Sequence, residues 1–151
     1  MARWARGESE VEALLTAGAL QKLSGAAANG ERLLEKATVT LTTARSAVAT
    51  DPDSAFVLAY DAARQALTAL LAHQGLRPTT RGGHYAVEQA AQAQFGPGFR
   101  QFGPLRRRRH ELEYPERPGD DATQDEAREA VENARAILAA AQGLVDQLGL
   151  F

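Results

Sequence analysis

The chain has 151 residues, a formal net charge of −2, 44% hydrophobic and 24% charged residues, and no cysteine. That length allows one domain with a sizeable core, and the composition is that of a folded globular protein. The charge balance excludes a wholly basic nucleic-acid coat protein, and the missing thiols exclude disulfides, cysteine nucleophiles and Cys-ligated zinc.

Residues 1–7 read as a flexible tail, and residues 8–151 as a single domain. A first helix is expected over about 8–23, with Val11, Leu14, Leu15 and Leu23 towards the core. After a glycine and alanine break, Asn29-Gly30 opens a second helix over about 31–49. There Leu33, Leu34, Ala37, Leu41, Ala44 and Val48 recur at intervals of three and four, an amphipathic stripe. Asp51-Pro52-Asp53 is a stop and restart: Asp51 can cap, Pro52 suits the first helical position, and Asp53 favours the positive end of the dipole.

The third helix, about 52–74, is apolar on two sides. Phe56, Tyr60, Ala63, Leu67 and Leu70 line one face, and Ala55, Leu58, Ala59, Ala62, Ala66 and Ala69 the other. Such a helix is central, and its alanine face admits a close neighbour. Residues 76–83 read as a polar turn, 84–94 as a shorter helix, and Gly96-Pro97-Gly98 as a break. The last helix, about 123–148, opens on a capping box made by Thr123 and Glu126. Period-two alternation is missing throughout. The expected fold is all-α, a four- to five-helix up-and-down bundle.

Between the break and the last helix lies the most polar helix-compatible stretch, Leu-Arg-Arg-Arg-Arg-His-Glu-Leu-Glu-Tyr-Pro over 105–115. Pro104 suits a helix start, and Pro115 pushes Tyr114 out of helical geometry. Arg106, His110 and Tyr114 fall on one stripe, while Arg107 can pair with Glu111 and Arg109 with Glu113. Both pairs have the weaker polarity, and the arginines crowd the expected helix start, where positive charge is unfavourable. A helix so poorly tuned for its own stability points to an anionic partner; the alternative is an ordinary solvated face.

Nucleophile elbows and Walker or Rossmann loops are missing. His73, His84 and His110 are the only histidines, and none stands at metal-ligand spacing from another. No metal or organic cofactor is expected. His73 suits a helix end, and His84, after two glycines, suits a local turn role. Arg109, His110 and Tyr114 remain as the catalytic candidates, and Arg106, Arg107, Arg109 and His110 as ligands for RNA or nucleotide. Guanidinium grips phosphate bidentately and imidazole titrates near neutrality. No leader peptide and no membrane-length apolar run is visible, so a cytoplasmic protein without membrane partners is expected.

The segment AYDAARQALTALLAHQGLR, the GGHYAVEQA segment and the RRRRHELEYP helix together resemble HEPN-domain proteins, in particular the actinobacterial type with an Arg-Asn-x-x-Glu-Tyr motif. The resemblance spans about 11–148. It implies a helical bundle that homodimerises and brings two arginine-histidine motifs into one cleft. It also implies metal-independent ribonuclease or RNA-binding activity in a toxin–antitoxin or defence-type module, or pairing with a minimal nucleotidyltransferase. Arg109 matches the motif arginine and His110 its polar position, but Tyr114 stands where a motif histidine would fall. Tyrosine, with an ordinary pKa of about 10, is a poor base near neutrality. The expectation is therefore binding with little or no cleavage. The alternatives are a non-enzymatic nucleotidyltransferase partner modified on Tyr114, and an active ribonuclease with His110 as base.

Overall fold

A computed structural model describes residues 2–151; Met1, the start of the expected tail, lies outside the described residues. Among the described residues, six α-helices carry the fold: α1 (Glu8–Thr16), α2 (Glu31–Ala47), α3 (Pro52–His73), α4 (Gly83–Phe95), α5 (Phe102–Glu113) and α6 (Gln124–Leu144). Single 3-10 turns follow α4 and α6. The chain is an all-α helical bundle.

α3 is its axis. Ala55, Ala59, Ala62, Ala63, Ala66, Ala69, Leu67 and Leu70 are all fully buried. α2 and α6 pack against it most extensively, and α5 and α4 less so. Small side chains let these helices approach closely. The approach is tightest where α2 begins: a Cβ on Gly30 would stand 2.1 Å from the Ala69 carbonyl oxygen. The α3 start is capped as its sequence dictates, the Asp51 carboxylate accepting from the Ser54 amide at 3.1 Å and its hydroxyl at 2.6 Å.

The last helix stops at Leu144, a 3-10 turn taking residues 145–147 of its expected span, and two further boundaries differ from the sequence reading. The first helix ends at Thr16, because Gly18 turns the chain with φ +74°. The residues beyond form β1 (Leu20–Lys22), antiparallel to β2 (Leu76–Pro78). Each strand is three residues long, too short for alternation to be visible in sequence. It is Leu20, 2% exposed, that enters the core here, and Leu23 stays half-buried. The second difference is α5, which begins at Phe102, so that Pro104 occupies its third position. A missing N–H is still harmless there, since the first turn has no intrahelical acceptors. The arginines consequently sit in the middle of the helix, away from the unfavourable pole of the dipole.

Residues 2–7 have no regular structure, and Trp4 anchors them. The Trp4 indole N–H donates to the Gln94 carbonyl at 2.9 Å, and its ring meets Phe95 edge-on. Beneath them Gln74 and Gln94, both buried, exchange amide hydrogen bonds of 2.7 and 3.1 Å. At α6 the Thr123 hydroxyl accepts from the Glu126 amide at 3.0 Å. The Glu126 carboxylate does not close the expected capping box; it is held by Arg108 instead.

Candidate functional site

Successive residues on α5 point about 100° apart, so its four arginines address different neighbours. Arg108 faces α6. It grips Glu126 with two bonds, 2.7 and 3.1 Å, and also meets Glu111 and Asp120 at 3.2 Å each. These hydrogen bonds, with that to Glu126 foremost, raise its pKa further above its ordinary value. Arg106 points to α4, where its Nε donates to Glu88 at 2.5 Å. Arg107 reaches the same carboxylate only at 3.9 Å, and its side chain is 60% exposed. Arg109 pairs with Glu113 as its spacing predicts. The expected Arg107–Glu111 pair does not form, because Arg108 takes Glu111 and Glu88 draws Arg107. Gly103 makes room for this carboxylate, since a Cβ there would lie 2.5 Å from Glu88 Oε1.

The candidate catalytic residues divide between two faces. His110 stacks obliquely with Tyr114, ring centroids 5.0 Å apart. Both line an open groove of about 690 Å³ with Arg117 and the acidic Glu111, Glu116 and Asp120. Arg109 turns away from them towards α3, its Cζ 5.9 Å from the centroid of the Tyr60 ring. Within one chain, Arg109 therefore keeps company with Arg106, while His110 keeps company with Tyr114.

Arg109 meets residues that the sequence reading assigned to the core or to a turn. Tyr60 is fully buried, stacked on Phe102 at 5.3 Å, and its hydroxyl lies 2.7 Å from Nδ1 of His84. Burial pushes the Tyr60 hydroxyl well above its ordinary pKa. The imidazole is held below its ordinary pKa by partial burial and by the positive charges of Arg64, Arg109 and Arg106, against the opposing charge of Asp61. His84 is therefore a neutral ring with one edge engaged and the other towards solvent. The signal in sequence was Tyr60 itself: a tyrosine on a buried helix face needs a partner for its hydroxyl. Which residue would supply it could not be read without the fold. Thr79 fixes the answer by tying the turn before α4 to the turn after α1, its hydroxyl donating to the Gly18 carbonyl at 2.6 Å and accepting from the Gly82 amide at 3.1 Å.

Among the described residues, no group of three or more His, Asp or Glu side chains is placed to hold a metal ion. Among the described residues, no helix is long and apolar enough to cross a membrane.

A family model for the HEPN domain matches residues 30–144, from the start of α2 to the end of α6. The chain belongs to the HEPN-domain family. No curated protein and no solved structure matches it. The HEPN match includes both faces of α5 and the Tyr60–His84 contact, and it leaves α1 and β1 outside. Membership of this family is consistent with RNA-binding or nuclease-like roles, and HEPN domains commonly dimerise.

Proposed function

We propose that this HEPN domain acts as a homodimer that binds RNA or nucleotide through Arg106, Arg107 and Arg109, with His110 at the edge of the site and little or no cleavage. Such binding suits a toxin–antitoxin or defence-type module. The observation that supports the reading is the contrast among the arginines of α5. Arg108 is saturated by three carboxylates. Arg106 and Arg109 each have one carboxylate partner, and Arg107 has only a distant one. A guanidinium carries five N–H donors, so a single carboxylate orients the group and leaves donors for phosphate oxygens. The deciding experiment is fluorescence anisotropy with a short single-stranded RNA over a salt series, paired with light scattering to count subunits. Affinity should fall steeply with salt and drop in Arg109→Ala. Binding that is absent, or indifferent to salt, removes the reading.

A second reading has its own support: Tyr114 is 62% exposed, beside a groove that contains Arg117. Its hydroxyl would attack the α-phosphorus of a nucleoside triphosphate bound by a partner nucleotidyltransferase, losing its proton and releasing pyrophosphate. Intact mass after incubation with such an enzyme and ATP should then show one added nucleotide, and Tyr114→Phe should show none.

A further inference from the structure

The face of α3 towards α4 and α5 carries a weakly paired charge. Arg64 is half-buried, its Nε is sealed from solvent without a hydrogen-bond partner, and its nearest carboxylate, Asp61, stands 3.9 Å away. The Nε of Arg109 is likewise buried and unpartnered. Both guanidiniums act on the His84 ring, and with 29% of the Arg64 side chain and 28% of the Arg109 side chain exposed, their outer N–H groups are the donors open to an acceptor.

The ring pair supplies a third donor. The Tyr60 hydroxyl is buried, and its one hydrogen-bond partner among the described residues is His84 Nδ1. Were Nδ1 to carry the proton, the phenolic O–H would be left buried without an acceptor. Satisfying both groups requires the phenol to donate to Nδ1, which places the imidazole proton on Nε2. Nε2 then presents an N–H on the exposed edge of the ring. A base at this edge would need the opposite tautomer.

We propose that Arg64, Arg109 and the Nε2–H of His84 form a phosphate-binding site, in which His84 serves as a neutral hydrogen-bond donor and not as a base. The charged groups around it are Arg64 and Asp61 on α3, Glu88 on α4, and Arg106, Arg109 and Glu113 on α5. The positive and negative charges match in number, so a bound phosphate is held by directed donors more than by bulk potential. The site shares Arg109 and the class of ligand with the function proposed above. It needs neither a dimer nor Arg107.

The test is a titration of the full chain with inorganic phosphate, followed by ¹⁵N NMR of the histidine rings. His84 should show a protonated Nε2 and an unprotonated Nδ1 before phosphate is added. Its Nε2 signal should then move saturably with phosphate. His84→Gln and Arg64→Gln should each weaken binding by about tenfold, the scale of one hydrogen bond to a charged group. His84 is exposed and Arg64 half-buried, and circular dichroism would verify that each variant is folded. A 5′-phosphorylated oligonucleotide compared with its 5′-hydroxyl counterpart separates the two sources of phosphate: preference for the former assigns a terminal monoester, and equal binding assigns an internal diester. A proton on Nδ1, an unmoved His84 signal, or unchanged phosphate affinity in folded His84→Gln would overturn the proposal. RNA binding lost in Arg107→Ala but kept in His84→Gln would leave the α5 interface standing without this site. Phosphate binding at His84 without RNA binding would leave the site standing alone.

Discussion

The hydroxyl of Tyr60, at the centre of the most buried helix, lies 2.7 Å from Nδ1 of His84 on a helix that begins 31 residues after that tyrosine's own helix starts. The contact joins the core to the surface.

His84 gives the fold a pH signature. Partial burial and the neighbouring positive charges hold its folded-state pKa below the ordinary value of about 6.5, so between those two pKa values the unfolded chain binds more protons than the folded one. Stability is therefore complete above about pH 6.5 and falls as pH drops through that window. Urea unfolding from about pH 5 to about pH 8 should show this decline, and His84→Gln should flatten it. A decline of equal size in the variant would assign the effect to other groups. Tyr60→Phe should lower stability by about 1 kcal/mol at neutral pH through the lost hydrogen bond.

Arg107 and Arg108 are adjacent in sequence and opposite in expected effect. Arg108 is tied to Glu126, Glu111 and Asp120, whereas Arg107 is mostly exposed. Arg108→Ala should cost roughly 1 kcal/mol or somewhat more, as a partly exposed network does, while leaving RNA affinity little changed. Arg107→Ala should leave the melting temperature alone and reduce the salt slope of RNA binding by about one. Melting curves and salt-dependent anisotropy on both variants check the pair.

Two glycines in helical settings should respond with opposite sign. A Cβ at Gly30 would meet the Ala69 backbone at 2.1 Å, and one at Gly143 would meet nothing within 4 Å. Gly30→Ala should destabilise by about 1–3 kcal/mol, because α2 must be pushed off α3. Gly143→Ala, inside α6, should stabilise by about 0.4–1 kcal/mol. Chemical denaturation of the two variants gives both values.

The Gln74–Gln94 pair offers a double-mutant cycle. Gln94→Leu leaves the buried Gln74 amide unsatisfied and should cost about 1–3 kcal/mol, whereas changing both to leucine should restore much of that loss. Additive losses would show that packing, and not the paired amides, holds this junction.

Local chemistry explains why most of the bundle was legible in the sequence. The α2 stripe, the two apolar faces of α3, the Asp51 and Thr123 caps and the long α6 stripe are all set by residues within a turn or two of one another. The β1–β2 ribbon was not legible, because it joins two three-residue segments more than fifty residues apart. The arginine run was visible as a run, and the Arg109–Glu113 pair followed from helical spacing. The capture of Arg106 by Glu88, of Arg108 by Glu126, and of Glu126 away from its own capping box all depend on which helices lie alongside α5.

By itself, the sequence determined the helices, the central place of α3 and the concentration of cationic side chains on α5, because periodicity, caps and breakers act over a few residues. Only the tertiary structure decided which of those arginines are neutralised and which keep free donors. It alone set His84 on the hydroxyl of Tyr60, because the direction of a side chain is fixed by neighbours that packing, and not chain order, supplies.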